Sequence, residues 1–409
     1  MARADLHLAY VCGDRGVPVG GGKGASLHVG ELTRALTRSG VAVTAVCARS
    51  QLDGHSDVSA LDVIDVGGSR WSRRLRKTVG GKSARPSVPE TRMLLLNDAF
   101  AHELHRLHKR RPIDAVYERY SLWTWAGAAF AQRYGVPHLL EVNAPLLEEQ
   151  KRYRSLVSAS VAADVRDYVF ASANRVLVPS RALVPHLRSN GVAAGNIRVV
   201  PNAADPHRFR PRRESSDDGF FRLGFLGSLK PWHGLDLLLR AFLRLHRRDA
   251  SYRLVVIGDG PLRPELERRV ADKGAFDAVE FTGAAPYDRV PELLASIDVA
   301  LAPYEPMAGF YFSPIKIFEY MAAGLPIVAA SLGQIEEVLD HRRSALLVRP
   351  GSVVELADAV ARIRSDPKLG DRLGRNARKA AVARHTWQRN ARRVVGYVET
   401  LRTRRGVVA

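Results

Sequence analysis

FRLGFLGSLKPWHGLDLLLRAFLRLH (221–246) reads as a short β-rich run, a glycine-bounded loop and an amphipathic helix. The same alternation continues outward from it. Downstream, the apolar runs are YRLVVIG (252–258), AVEFTG (278–283), DVALAPY (298–304), PIVAA (326–330) and ALLV (345–348). Only helical patterns follow to the end. Upstream, the runs are LHLAYV (6–11), VAVTAVC (41–47), LDVIDV (61–66), DAVYE (114–118), PHLLEV (137–142), RVLV (175–178) and IRVV (197–200). Helical stretches separate most of them. In SLHVGELTRALTRSG (26–40), Leu32, Ala35 and Leu36 share a face and Gly40 closes the helix.

Short strands alternating with helices imply parallel sheets covered by helices. The break falls at PNAADPHRFRPRRESSDDGF (201–220), which lacks periodicity and reads as a linker. The expectation is an α/β chain of two doubly wound domains, 1–203 and 204–385, facing a cleft. A last helix, 386–409, is expected to cross back to the first domain. Ligands of such sheets bind beyond the carboxyl ends of the strands.

Composition narrows the class. A chain of 409 residues is long for one core, and a hydrophobic share of 46 % excludes large-scale disorder. No apolar stretch approaches the roughly 20 residues of a membrane-spanning helix. The opening MARADLHLAYV lacks the pattern of a secretion leader, so a cytoplasmic protein is expected, with Cys12 and Cys47 as buried thiols. The net charge of +20 concentrates anions of every kind. By itself it does not choose among nucleotides, phospholipid surfaces and nucleic acids.

Three loops after strands carry chemistry. GVPVGGGKGAS (16–26) is a glycine loop leading into a helix, where backbone N–H groups can meet an anion. Val17 and Gly24 stand where a Walker A loop needs Gly and Ser or Thr, so it is not one. In GSLKPWHGLDLLL (227–239), Lys230 and His233 are cationic or potentially cationic groups beside a helix start, suited to a diphosphate leaving group. Trp232 reads equally as a packing residue. FYFSPIKIFEYMAAGLPIVAA (310–330) says most. Ser313 is expected as N-cap and Pro314 as the first helical residue, with Lys316 and Glu319 three apart on one face. Amides and Lys316 there suit a phosphate; Glu319 suits the vicinal hydroxyls of a ribose.

These segments, with AVYERYSLWTWAG (115–127), VLVPSRALVPHL (176–187), VVPNAADPHRFRP (199–211) and VVIGDGPLRPELE (255–267), resemble glycosyltransferase family 4 in order and spacing. That family comprises retaining enzymes of the GT-B fold. The resemblance implies a UDP- or GDP-sugar bound by the second domain and a hydroxyl acceptor bound by the first. Glu319, before Tyr-Met-Ala-Ala-Gly, would hold the ribose. Ser313, Ile315 and the loop near Gly22 would lie against the diphosphate. Gly258, Asp259 and Gly260 would sit near the base or ribose.

Three departures stand out. Tyr311 occupies the place of the first of two family glutamates. In the 227–239 motif, Ser228 follows Gly227 where an Arg is usual, and His233 replaces a Lys. Lys230 and Lys316 are therefore expected to neutralise phosphate, and both are candidate catalytic groups with Glu319 and Asn143. Asn143 takes a frequent histidine position in EVNAPLLEEQ, a run expected to border the acceptor through Glu141, Asn143 and Glu148, with Lys23 alongside.

No Asp-x-Asp, His-Glu-x-x-His or cysteine cluster suggests a metal, and no further cofactor is expected. Retention in this family implies a front-face displacement in which the departing phosphate takes the acceptor's proton. RWSRRLRKTVGGKSAR (70–85) reads as a mobile basic loop or as a helix touching an anionic membrane, peripheral to its inner face. Alternatives are a GT-B epimerase, hydrolase or phosphorylase, and a non-catalytic basic binding protein. Nucleic acid is not expected as a partner, because no recognised binding motif accompanies the dispersed charge.

Overall fold

The computed structural model describes residues 6–52, 61–68, 89–211 and 218–406. They form two compact units, one of residues 1–201 with 388–409 and the other of residues 202–387. The basic segment 70–85 lies outside the described residues.

The first unit holds seven strands: β1 (His7–Cys12), β2 (Ala42–Cys47), β3 (Asp62–Asp65), β4 (Ala115–Arg119), β5 (His138–Glu141), β6 (Arg175–Val178) and β7 (Ile197–Val199). All pair in parallel, in the order β3-β2-β1-β4-β5-β6-β7. Each run expected from the sequence is a strand here. The order reverses between β1 and β4, which makes their carboxyl ends the ligand end of the sheet. Ala9, Val11 and Val116 face one core with Phe100, Leu104 and Phe130 from covering helices. Helix Trp387–Gly406 is fastened to this unit. Gln388 donates to Ser39 Oγ at 2.7 Å, Asn390 to Pro201 O at 2.8 Å, and Arg402 pairs with Asp114 at 3.0 Å.

The second unit repeats the plan with β8 (Phe221–Leu226), β9 (Tyr252–Ile257), β10 (Val279–Gly283), β11 (Val299–Ala302), β12 (Ile327–Ala330) and β13 (Leu346–Val348). Its order is β10-β9-β8-β11-β12-β13, again parallel. Along β9, Leu254 and Val256 enter one core while Val255 and Ile257 enter the other. Both faces of the strand are covered there, so it is apolar without a break from Leu254 to Ile257. Among the described residues only helices follow β13.

The linker reading of 201–220 is corrected in part. Residues 202–211 are packed into the second unit: Phe209 is fully buried, Ala204 bridges to Thr386, and Asn202 bonds to Ser313. Ala203, Ala204 and Phe209 are apolar residues in a polar run, and their burial outweighs the linker-like composition around them. Cys12 and Cys47 are register partners on β1 and β2, both free and buried. Burial pushes the Cys12 thiol up to about 12, so it is an inert packing group at neutral pH. Among the described residues no helix is long and apolar enough to cross a membrane.

Candidate functional site

In the second unit the switch point lies between β8 and β11, which pair only at Val299↔Leu223 and Ala300↔Gly224. Beyond those pairs the strands part, and the fully buried Tyr320 takes the gap. Its hydroxyl accepts from Leu226 N at 2.7 Å and donates to Leu301 O at 3.4 Å. Tyr320 belongs to helix Ile315–Ala323, so this bond seats the helix start at the ligand end of the sheet.

The helix begins one residue later than expected. Pro314 is the N-cap and Ile315 the first helical residue, so the assignment of Ser313 as N-cap is corrected. Ser313 is committed elsewhere: its Oγ accepts from Asn202 N at 3.2 Å and its carbonyl from Asn202 Nδ2 at 2.6 Å. No side chain caps the helix start.

Lys316 and Glu319 are both buried, at 7 % and 3 % exposure, which removes the reading of an ordinary surface pair. Lys316 Nζ lies 3.9 Å from the centre of the Phe225 ring and 5.9 Å from that of Tyr304. No hydrogen-bond acceptor meets it among the described residues. Burial pulls its ammonium down to about 7, against the opposing pull of Glu319. A buried cation without an acceptor is costly, and an anionic ligand at this point would relieve the cost.

The surrounding loops are built for close backbone approach. Gly227 has φ +140°, and a Cβ there would stand 2.9 Å from Lys316 Nζ. Gly258 also has φ +140°, with a Cβ position 2.1 Å from Gly227 O. A Cβ on Gly260 would meet Leu229 backbone at 2.7 Å, and Leu229 N donates to Asp259 O at 2.9 Å. Loops 227–230 and 258–260 therefore touch backbone to backbone. Gly258→Ala is expected to destabilise the protein by about 1–3 kcal/mol through strained backbone and clash. Thermal unfolding, beside a Gly274→Ala control with no such clash, checks it.

His233 is corrected as a cationic candidate. Burial and the nearby Lys316 and Lys230 push its imidazole down to about 3, and its Nδ1–H donates to Ser228 O. It is a neutral clasp on the loop holding Ser228 and Lys230. Lys230 is half-buried, with Nζ 4.8 Å from the Trp232 ring centre. Trp232 is 42 % exposed, so it does not pack as a cover over the loop.

In the first unit, Lys23 is the exposed N-cap of helix Gly24–Arg38. A Cβ on Gly22 would meet nothing within 4 Å, so its backbone is open to approach. Glu141 is buried at the end of β5. Its Oε1 lies 2.8 Å from His28 Nε2 and 3.0 Å from Arg119 Nη1, and accepts from Asn143 Nδ2. Burial alone would raise this carboxyl, but His28 and Arg119 hold it well below the usual carboxylate range. Because Asn143 gives its NH₂ to Glu141, the amide orientation is fixed. Glu148 is half-exposed, 3.9 Å from Arg166 and 4.0 Å from His186.

Lys316, Glu319, Gly227, Ser228, Lys230 and His233 thus gather at one sheet end, with Gly258 to Gly260 against them. Glu141 and Asn143 form a separate cluster in the other unit. Sequence reading missed His28, Arg119, Asn202 and Tyr320. Position after the glycine loop was the one signal for His28; nothing local marks the others.

Comparison with known proteins follows the same division. Residues 22–208 match the family model described as Glycosyltransferase Family 4, and residues 221–366 that of Glycosyl transferases group 1. The 2-deoxystreptamine glucosyltransferase of Streptomyces kanamyceticus is 28 % identical over 283 residues, 65 % of this chain and 72 % of that protein. The D-inositol 3-phosphate glycosyltransferase of Acidothermus cellulolyticus is 30 % identical over 322 residues, 71 % of this chain and 68 % of that one. A GDP-mannose-dependent alpha-(1-6)-phosphatidylinositol monomannoside mannosyltransferase of Mycobacterium tuberculosis is 30 % identical over 216 residues; the match spans 50 % of this chain and 56 % of that relative. Among solved structures, Anabaena HepE in complex with UDP and glucose has a TM-score of 0.72 at 18 % identity, covering 97 % of this chain and 100 % of that one. Sucrose-phosphate synthase from Thermosynechococcus elongatus scores 0.71 at 19 % identity, covering 97 % and 99 %. Two parallel Rossmann-like sheets, a lysine and a glutamate on the helix beyond the second sheet's switch point, and these matches agree: the chain belongs to glycosyltransferase family 4 and is a glycosyltransferase of the GT-B fold.

Proposed function

We propose that the second unit binds a nucleoside diphosphate sugar, with Lys316 and Lys230 toward the diphosphate and Glu319 toward the ribose, and that the sugar passes to a hydroxyl with retained configuration and without a catalytic metal. The observation that carries this reading is the buried Lys316 ammonium, which meets no acceptor among the described residues and stands at the switch point. A phosphate oxygen supplies what that group lacks. Ser228, Ile315 and the glycine-rich turns offer backbone amides that can share the load.

In the step itself, the bond from the anomeric carbon to the diphosphate oxygen breaks as the acceptor oxygen bonds on the same face. The acceptor's proton goes to the departing phosphate oxygen, so the products are a glycoside and a nucleoside diphosphate. No protein base is needed, and the enzyme contributes orientation and stabilisation of the leaving charge. Two of the relatives named above are a glucosyltransferase and a GDP-mannose-dependent mannosyltransferase, and UDP accompanies HepE, so UDP- and GDP-hexoses are the first donors to test. Asn143, oriented by Glu141, is assigned to the acceptor side together with Lys23 and Glu148.

A thermal-shift screen over UDP- and GDP-sugars tests the proposal. One sugar nucleotide is expected to stabilise the wild type by about 2.7 kcal/mol at a hundredfold excess over its dissociation constant, and Lys316→Met is expected to abolish the shift. The absence of a shift with every sugar nucleotide would overturn the reading.

A further inference from the structure

Leu52, Phe220, Phe276, Val354 and Val382 are exposed apolar residues that lie apart along the chain, as on most proteins. The segment Lys151–Val157 of the first unit differs. Within KRYRSLV, Tyr153 is 67 % exposed and Val157 72 %, and Lys151, Arg152 and Arg154 stand exposed around them. No acidic residue occurs between Glu149 and Asp164.

This exposure is held in place. Arg154 N donates to Gln150 O at 3.0 Å, and Gln150 Nε2 donates to Ser155 O at 2.9 Å. The buried Glu90 carboxylate accepts from Val157 N and Ser158 N, each at 2.9 Å, at the start of helix Ala159–Ser172. Four backbone hydrogen bonds thus present an aromatic and a branched side chain to water beside three cations. Leaving Tyr153 and Val157 in water has no benefit to folding.

We infer that residues 151–157 form a docking site for an anionic lipid surface. Charge complementarity selects this occupant. Lysine and arginine attract acidic headgroups, while tyrosine and valine enter the interfacial layer, where an amphipathic ring is favoured. Two exposed apolar side chains are few for a stable protein interface, which buries about 800 Å² and roughly 20–30 residues per partner. A bilayer requires only shallow insertion of a few side chains.

The test is sedimentation of the full chain with phosphatidylcholine vesicles and with phosphatidylglycerol-rich vesicles. Three variants join the wild type: Tyr153→Ser with Val157→Ser; Lys151→Gln with Arg152→Gln and Arg154→Gln; and a control, Arg268→Gln with Arg372→Gln and Arg375→Gln. All sites are exposed, and circular dichroism checks folding. Wild type is expected to bind only the phosphatidylglycerol vesicles. Each cation removed from 151–154 is expected to weaken binding roughly fivefold, and the double serine variant to weaken it severalfold at unchanged charge. The control, which removes equal charge from the second unit, should bind as the wild type does. Equal losses in the control and the 151–154 variant would overturn the inference by showing a diffuse effect of net charge. Failure of the wild type to bind, equal binding to neutral vesicles, or binding untouched by the serine substitutions would also overturn it.

Discussion

Lys316→Met is expected to lower turnover of the nucleotide sugar about 10²–10³-fold while raising the thermal stability of the ligand-free protein. Both effects come from one observation. The ammonium is buried against Phe225 and Tyr304 with no hydrogen-bond acceptor among the described residues, and burial pulls its pKa from 10.5 to about 7. Methionine keeps the length and apolar stem but removes the charge. Loss of one pre-positioned stabiliser of a developing anion typically costs two to three orders of magnitude. Methionine removes a desolvation cost that exceeds the opposing pull of Glu319, so the ligand-free protein gains stability.

The pH dependence follows the sign of the shift. The unfolded chain protonates Lys316 near 10.5, the folded protein near 7. As pH falls from 10.5 to 7, the unfolded state binds the extra proton and wild-type stability drops; below 7 the loss is complete. The stability gain of Lys316→Met should therefore be largest at pH 7 and below, and vanish above 10.5. A diphosphate favours the charged lysine, so binding should take up a proton between pH 7 and 10. Calorimetry in buffers of different ionisation enthalpy measures that proton. A gain independent of pH, or binding without proton uptake, contradicts the assignment.

Glu141→Ala is expected to destabilise the protein by about 3–5 kcal/mol, visible as a lower unfolding temperature. The substitution strands Arg119 and His28 beside an empty place and releases Asn143. Because the folded carboxyl titrates well below its ordinary value, the stability it provides is present above about pH 4.5. It is lost progressively as pH falls toward the folded pKa. The gap between wild type and Glu141→Ala should accordingly narrow in acid. Unfolding curves at pH 7 and pH 3 check this, and a gap below 1 kcal/mol at pH 7 would show that the cluster carries no net pairing.

The sheets were legible in the sequence because buried parallel strands need short, mostly apolar runs, and the intervening helices show a different period. Thus VAVTAVC and YRLVVIG declare themselves with no outside help. The helix that carries Lys316 and Glu319 was legible through the Pro before it and the Gly that ends it. What escaped is whatever depends on contacts between distant segments. Ser313 has the composition of an N-cap, but Asn202, 111 residues away, takes its hydroxyl, and the N-cap falls at Pro314 with Ile315 the first helical residue. His233 has the composition of a cation, yet burial beside Lys316 leaves it neutral. Phe209 sits in a run rich in Pro and Arg, and only the folded chain shows it fully buried. His28 and Arg119 join Glu141 from three segments of chain, a meeting that no local pattern records.

In the proposed complex Glu319 accepts from the ribose of the sugar nucleotide. The most direct measurement compares dissociation constants of the selected nucleoside diphosphate and its 2′,3′-dideoxy counterpart, for wild type and for Glu319→Ala. Wild type should prefer the ribose form by roughly tenfold to a hundredfold, the worth of hydrogen bonds to a buried carboxylate, and Glu319→Ala should bind both forms alike. Full ribose preference in Glu319→Ala would contradict the account.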